Sequence, residues 1–402
     1  MQASEPFFAP AFLSGGIAAS DRIRVGIASV KGQGFALLRS LLEIGKDSNV
    51  EVAALCDVDS EVLSKRAAAC EKLNGGKRVA IRITRRQFAR TTLAGGALAA
   101  FYGFSSARGS TGNGTSQTIG LAFGTYGMKS LTTEAAMRAI ARIGYDGVEP
   151  ALMPGWSTDP AQMSVAERKT LRRLIGDLGL AVPAMLESLP LQGTPKGRAA
   201  NLERLRRAVA LGNELVPSSP PVVDTILGGK TAEWERVKGR MVAELKDWAK
   251  VAEDGRTTVC FKPHAGDAVH SPDRALWLVQ EVGSPRIRIV FDYSHFYLEG
   301  LSLESSLKQL IAYAPFVVVK DSQGTPEKHV YLLPGDGNVD YLAYFRLLKE
   351  LKYSGFVAVE VSGMIHRKPD YQPVPTAELC YSRLAPLMNR AAIRRPDRNV
   401  AH

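Results

Sequence analysis

The stretch Arg288-Ile-Val-Phe-Asp-Tyr-Ser-His-Phe296 decides the fold. Its apolar run, Ile289–Phe291, is typical of a buried parallel strand, and Asp292 and His295 follow where that strand ends. In a barrel of parallel strands and helices, catalytic residues gather at the C-terminal strand ends. Taken alone, the stretch also fits a turn capped by Asp292 beside an ordinary surface histidine.

The pattern of an apolar run followed by polar residues recurs between Ile119 and Glu360. Apolar stripes at helical spacing separate the runs, as in the stripe from Trp234 to Trp248. Eight such alternations predict an α/β fold, a (β/α)8 TIM barrel over residues 118–390 with a tail at 391–402. The predicted strands lie at Ile119–Phe123, Gly147–Glu149, Leu180–Glu187, Pro221–Leu227, Thr258–Lys262, Ile289–Phe291, Phe316–Val319 and Phe356–Val359.

Composition narrows the function classes. The 402 residues carry a formal net charge of +11, but the basic residues alternate with acids along predicted helices, which indicates solvated faces rather than a nucleic-acid surface. No apolar run reaches the roughly 18 residues of a membrane helix. The four cysteines fit neither a zinc spacing nor a disulfide framework. We therefore expect no nucleic-acid partner and no stable membrane insertion.

The N-terminal part has a pattern of its own, after an unstructured tail at 1–20. Strand Ile23–Ala28, helix Phe35–Ile44 and strand Val50–Cys56, ending at Asp57, follow the order of a dinucleotide-binding unit. The segment resembles the N-terminal Rossmann domain of the glucose–fructose oxidoreductase-like dehydrogenases.

The glycine pattern that this resemblance implies is broken. Gly-x-Gly-x-x-Gly falls on Ser29–Gly34, where only the last glycine remains and Lys31 would crowd a pyrophosphate. We predict that residues 21–80 are a partial, non-functional Rossmann-like fragment that does not bind NAD, and that the barrel folds without residues 1–117.

Residues 81–117 resemble a twin-arginine export signal followed by a linker. Arg85 and Arg86 precede Phe88 and the Ala-, Gly- and Leu-rich run Thr91–Phe104, and Arg108–Gln117 is mostly Gly, Ser and Thr. An amphipathic helix is the alternative. The signal predicts a periplasmic protein if it is used, and a cytoplasmic one otherwise.

The barrel segment resembles the sugar phosphate isomerase/epimerase family, the xylose-isomerase-like TIM barrels, from about Thr118 to Met388. Five phrases, in this order and spacing, carry the resemblance: Gly144-Tyr-Asp-Gly-Val-Glu149-Pro, Phe291-Asp292-Tyr-Ser-His295, Val319-Lys320-Asp321, Gly335-Asp-Gly-Asn-Val-Asp340-Tyr and Gly355-Phe-Val-Ala-Val-Glu360.

The resemblance implies one divalent metal, held by Glu, Asp, His and Glu after strands five to eight. Asp292 and Glu360 occupy two of those positions, but Lys262 and Val318 stand at the other two. An ammonium cannot ligate a metal and repels one nearby. A divalent metal (Mn, Zn or Mg) stays open only if His264 or His295 rebuilds a site with Asp292 and Glu360.

Polar residues at the predicted strand ends are the candidate site. We predict catalytic roles for Glu360, Lys262, His264 and His295. Lys262 is open between a base, a Schiff-base amine and a structural ion pair. We expect Glu149, Glu187, Lys320 and Asp321 to bind substrate.

The predicted function is an enzyme that isomerises, epimerises or eliminates on a sugar or keto-sugar by proton transfer at the barrel mouth. The alternative is a degenerate barrel that binds carbohydrate without turning it over, because Lys262 and Val318 depart from the ligand set that the resemblance implies.

Overall fold

The structure is a computed structural model that describes residues 23–28, 50–56, 80–82, 117–191 and 193–396. The chain divides into two compact units, Met1–Asn113 and Gly114–His402. No helix in the described ranges combines the length and the apolar character needed to cross a membrane.

The first unit contains a three-stranded parallel sheet. Its strands are β1 (Ile23–Ala28), β2 (Val50–Cys56) and β3 (Ala80–Arg82), in the order β1-β2-β3. The first two lie where the sequence predicted them, and β3 was not predicted. The helix at Phe35–Ile44 and the twin-arginine segment lie outside the described residues. The Rossmann and export interpretations therefore stay predictions.

The second unit is a parallel eight-stranded barrel, as predicted. The eight strands are β4 (Ile119–Gly124), β5 (Gly147–Glu149), β6 (Ala184–Leu186), β7 (Val222–Ile226), β8 (Val259–Lys262), β9 (Ile287–Asp292), β10 (Phe316–Val319) and β13 (Gly355–Val359). The strand order is β5-β4-β13-β10-β9-β8-β7-β6, and bridges between Gly147 and Ala181 and between Ala151 and Leu186 join its ends.

Helices connect successive strands. The helix over Thr133–Ile143 begins after Thr132, whose side chain caps it by accepting a hydrogen bond from the backbone N–H of Ala135. The helices are α1 (Thr133–Ile143), α2 (Val165–Asp177), α3 (Pro195–Leu215), α4 (Trp234–Asp254), α5 (Pro272–Val282), α6 (Tyr293–Leu298), α7 (Leu303–Leu310), α8 (Tyr341–Glu350), α9 (Gly363–His366) and α10 (Pro373–Arg390).

The core has two layers, because each barrel strand is buried on both faces. One layer lies between strands and helices and includes the predicted stripe of α4 from Trp234 to Trp248. The other fills the barrel interior with Phe316 and six smaller side chains: Ala122, Ala184, Cys260, Val290, Val318 and Ala358. Val318 is thus a core residue under the mouth of the barrel.

Two segments differ from the sequence-based prediction. The region around His329, which the predicted strands do not include, is an antiparallel hairpin of β11 (Asp321–Thr325) and β12 (Lys328–Leu332). Residues 391–396, predicted to belong to a tail, pack on the barrel. There the Arg395 guanidinium lies 2.7 Å from the Asp146 carboxylate.

Candidate active site

Six ionisable side chains converge at the C-terminal ends of the barrel strands. Five of them are almost completely buried, and Glu360 is the most accessible, with 13% of its side chain exposed. Parallel strands that close into a barrel bring their C-terminal ends to one face, so residues distant in sequence meet there. The six residues are Glu149, Asp224, Lys262, Asp292, Lys320 and Glu360.

Lys262 lies at the centre of this group. Its Nζ is 2.5 Å from Glu360 Oε2, 3.4 Å from Asp224 Oδ2 and 4.0 Å from Asp292 Oδ2. Burial alone would lower the pKa of Lys262, but the carboxylates, with Asp224 and Glu360 the strongest, hold that pKa well above its usual value. The raised pKa favours the ammonium form of Lys262, which supports the structural ion pair over a base or a Schiff-base amine.

Lys320 supplies a second cation. Its Nζ hydrogen-bonds to Asp292 Oδ2 and lies 3.0 Å from Glu360 Oε1. The other oxygen of Asp292 accepts hydrogen bonds from the backbone and hydroxyl of Ser294, so it caps α6 as the turn reading of the sequence allowed. We call Lys262, Lys320, Asp224, Asp292 and Glu360 the lysine cluster.

Glu360 has both carboxylate oxygens on ammonium groups. Burial alone would raise its pKa, but Lys262 and Lys320 hold that pKa far below the ordinary value. Glu360 is therefore ionised, and any substrate oxygen that draws an ammonium away from it increases its basicity.

Glu149 and Asp224 are two acids of the group whose pKa values are raised. Burial raises the pKa of Glu149 well above its ordinary value, and the neighbouring Asp224 raises it further. Burial also raises the pKa of Asp224 to about 6, against the opposing effect of Lys262. The raised pKa favours the neutral form of Glu149, which limits the negative charge gathered around Lys262.

Both predicted histidines border the lysine cluster in their neutral form. Burial and then Lys262 lower the pKa of His264 to about 4, and burial and then His264 lower the pKa of His295 well below its ordinary value. The His264 Nδ1 lies 3.0 Å from the Lys262 carbonyl, so that nitrogen carries the proton and Nε2 is left as an acceptor. His264 can therefore accept a proton or a hydrogen bond.

His295 is 1% exposed, so the surface reading of the sequence is wrong. Its Nδ1 accepts from the backbone N–H of Ala265 at 3.3 Å and lies 2.9 Å from the hydroxyl of Tyr331 on β12. Because Nδ1 accepts from Ala265, the proton of neutral His295 sits on Nε2, which lies 3.6 Å from Asp292 Oδ2 and 3.5 Å from Lys320 Nζ. His295 orients Asp292 and the hairpin at the edge of the lysine cluster.

The two remaining predicted site residues make other contacts. Glu187 is buried against Arg204, and burial raises its pKa to about 7. Asp321 is buried below the mouth, where it accepts hydrogen bonds from the backbones of Gly335 and Gly337 and from Tyr341. Asp321 therefore orders the loop before α8 and does not join the lysine cluster.

Sequence reasoning missed Asp224 and Tyr331. A lone carboxylate inside the apolar run of β7 was the available signal for Asp224, since a buried charge requires a partner. For Tyr331 there was no signal, because its position depends on a hairpin that the polar sequence did not indicate.

The residues do not fit the metal that the fold implies. Lys262 and the apolar Val318 occupy two of the four ligand positions, and Lys262 and Lys320 already bind the carboxylates at the other two. In the described part of the chain, no group of three or more His, Cys, Asp or Glu side chains is arranged to hold a metal ion. The rebuilt set with His264 or His295 is thus not supported.

The sequence profile of the xylose isomerase-like TIM barrel family matches residues 137–377. The chain belongs to this family. It is 22% identical over 254 residues to inosose dehydratase from Clostridium botulinum, which covers 58% of this chain and 83% of the relative.

Solved structures share the fold. The 3-keto-D-glucoside 4-epimerase from E. coli superposes with a TM-score of 0.55 and 16% identity, over 67% of this chain and 99% of that one. A protein named IOLI, solved with a bound zinc atom, superposes with a TM-score of 0.57 and 17% identity, over 68% and 99%. The relatives named as a dehydratase and as an epimerase indicate that this chain is an enzyme.

Proposed function

We propose that this protein is a sugar isomerase, epimerase or related lyase that moves a proton at the barrel mouth without a family-type metal. The observation that carries the proposal is the position and charge of Glu360. It is the most accessible member of the lysine cluster, it is ionised, and two ammonium groups flank it.

The proposed step conserves charge within the site. Glu360 removes the proton from the carbon next to a substrate carbonyl, and the electron pair moves to the carbonyl oxygen to give an enediolate. As Glu360 becomes neutral, Lys262 and Lys320 lose a negative partner and stabilise the new oxyanion. Such preorganised cations act where charge develops, which is usually the largest electrostatic contribution to catalysis.

The fate of the proton separates the three reaction classes. Return to the neighbouring carbon isomerises the sugar, return to the opposite face epimerises it, and loss of a β-hydroxyl as water is elimination. The neutral His264, with Nε2 free to accept, is the proposed second proton carrier. Similarity to a dehydratase and an epimerase supports all three classes.

Solvent deuterium exchange tests the proposal. An inosose, a ketopentose and a ketohexose would be incubated in D₂O after EDTA treatment and followed by NMR. We expect deuterium at the carbon next to the carbonyl of at least one substrate. Glu360→Gln should slow the exchange by about 10²–10⁴, the usual contribution of a positioned base.

The exposed Glu304 provides the control, since Glu304→Gln should exchange at the parent rate. Exchange that stops with EDTA would contradict the metal-free step. The second candidate is a barrel that binds carbohydrate without turnover, which the departures at Lys262 and Val318 favour. Binding with no exchange on any of the three substrates would establish it.

A further inference from the structure

A second recess opens on the same face of the barrel, beside the loops that follow β4, β5 and β13. It encloses about 580 Å³, enough for one end of a sugar-sized ligand. We call it the Trp156 cleft. The lining residues that bear on its chemistry are Gly127, Lys129, Trp156, His366, Arg367 and Tyr371.

The Trp156 cleft is built around a fixed aromatic wall. Trp156 stacks on Tyr126 with ring centroids 5.4 Å apart, and its indole N–H points to the Tyr126 carbonyl at 3.4 Å. The Lys129 ammonium lies 4.1 Å from the centre of the Trp156 ring. With Tyr126 and Lys129 both against the ring, Trp156 positions a cation instead of offering a free face to a sugar.

Gly127 lets the backbone of the cleft wall pack closely against Val361 and Tyr371. A Cβ there would lie 2.7 Å from the Val361 Cβ and 3.0 Å from the Tyr371 hydroxyl, which is too close for either. The position of Tyr371 in the wall therefore depends on a residue without a side chain at 127.

The charged side chains that line the Trp156 cleft are all positive. Its wall contains Lys129 and Arg367 and no carboxylate, and within the described ranges neither cation forms an ion pair. Burial and then Arg367 and Lys129 lower the pKa of His366, so both positive charges act on the imidazole. The cations of the lysine cluster, by contrast, are already matched by acids.

The two sites are neighbours. Glu360 directly follows β13, and α9 (Gly363–His366), which carries His366 of the cleft wall, begins three residues later. A sugar whose reacting carbons lie against Glu360 would therefore extend its far end toward Lys129 and Arg367.

We propose that the Trp156 cleft binds an anionic oxyacid group, a phosphate or a carboxylate, at the end of the substrate remote from the reacting carbons. The substrate is then a sugar phosphate or a sugar acid. Arg367 offers the planar donor pair that recognises both groups, and Lys129 adds a point charge. This inference rests on the proposed function for the orientation of the substrate.

Calorimetric titration of the full-length protein with matched sugars tests the inference. One arm compares fructose 6-phosphate with fructose, the other compares glucuronate with glucose, and inorganic phosphate is titrated alone. We expect one anionic sugar to bind at least about tenfold more tightly than its neutral partner, as one charge-assisted hydrogen bond provides. The arm that shows the gain identifies phosphate or carboxylate.

Variants locate the binding. Lys129→Gln with Arg367→Gln should abolish the preference, whereas Lys368→Gln, an exposed neighbour outside the lining, should retain it. In the parent, phosphate should also raise the pKa of His366, followed by NMR, because an anion offsets the two cations. Equal affinity for charged and neutral sugars, or a preference that survives in the double variant, would overturn the inference.

The titration needs no turnover, so the two proposals can fail separately. Anion-dependent binding without deuterium exchange contradicts the proposed function alone. Exchange on neutral ketoses with no anion preference contradicts only the proposal that the Trp156 cleft binds an anionic group.

Discussion

The lysine cluster and the Trp156 cleft share one face of the barrel but differ in whether carboxylates compensate their positive charges. In the lysine cluster, Lys262 and Lys320 are buried and each contacts at least two carboxylates. In the Trp156 cleft, Lys129 and Arg367 are exposed and no carboxylate lines the wall. In the lysine cluster the positive charges are neutralised by the protein's own carboxylates. In the Trp156 cleft they are not, so an anionic group of a ligand would stabilise that site more.

Deleting the central ammonium should have the largest effect. Lys262→Ala leaves Glu360 and Asp224 buried with only Lys320 as a nearby cation, and breaking a buried pair in this way costs about 3–5 kcal/mol. We expect urea unfolding to show that loss in the free energy of unfolding.

Lys129→Ala is the matched deletion in the Trp156 cleft, where an exposed cation contributes less than about 1 kcal/mol. Equal losses for Lys262→Ala and Lys129→Ala would remove the distinction between compensated and uncompensated positive charges.

The next effect concerns pH. The folded protein holds a proton on Asp224 up to about pH 6, whereas its ordinary pKa is 3.8. Because the folded state binds this proton more tightly than the unfolded state, the contribution is full below pH 3.8 and is lost as pH rises through 6. Asp224→Asn should flatten this part of the pH profile of the free energy of unfolding, by about 1–3 kcal/mol.

The matched control is Glu253→Gln, on an exposed acid whose pKa is lowered by Arg286. The stabilising contribution of Glu253 has the opposite pH dependence, since it is lost as pH falls. An Asp224→Asn profile parallel to that of the parent between pH 4 and 6 would show that Asp224 is ionised in the folded protein throughout.

The smallest effect should come from rebuilding the family's ligand positions. Lys262→Glu removes the central cation and adds a carboxylate, and Val318→His then supplies an imidazole. We expect the affinity for Mn²⁺ to increase in the double variant by about tenfold, a modest gain because supporting partners typically change metal affinity by 10–100-fold.

Calorimetric titration of parent, single and double variants measures this gain, with Lys262→Glu expected to lie between the other two. If the parent already binds Mn²⁺ as tightly as the double variant, Lys262 does not occupy the metal position, and a ligand set with His264 or His295 becomes the better account.

The sequence by itself determined the barrel. Apolar runs such as Ile289–Phe291 and helical stripes such as that of α4 are local patterns, and the alternation of the two leaves few topologies. Because polar residues after parallel strands must meet at one face, the sequence also indicated that Lys262, Asp292, Lys320 and Glu360 lie near one another.

Only the tertiary structure decided what those residues do. Whether Lys262 is a base or an ion-pair partner depends on how many carboxylates surround its ammonium. Those carboxylates come from other strands, and sequence reasoning missed Asp224 on β7. The burial of His295 depends on β12, whose Tyr331 covers it. Charge state is a property of distance and solvent access, and neither is encoded in the order of residues along one strand.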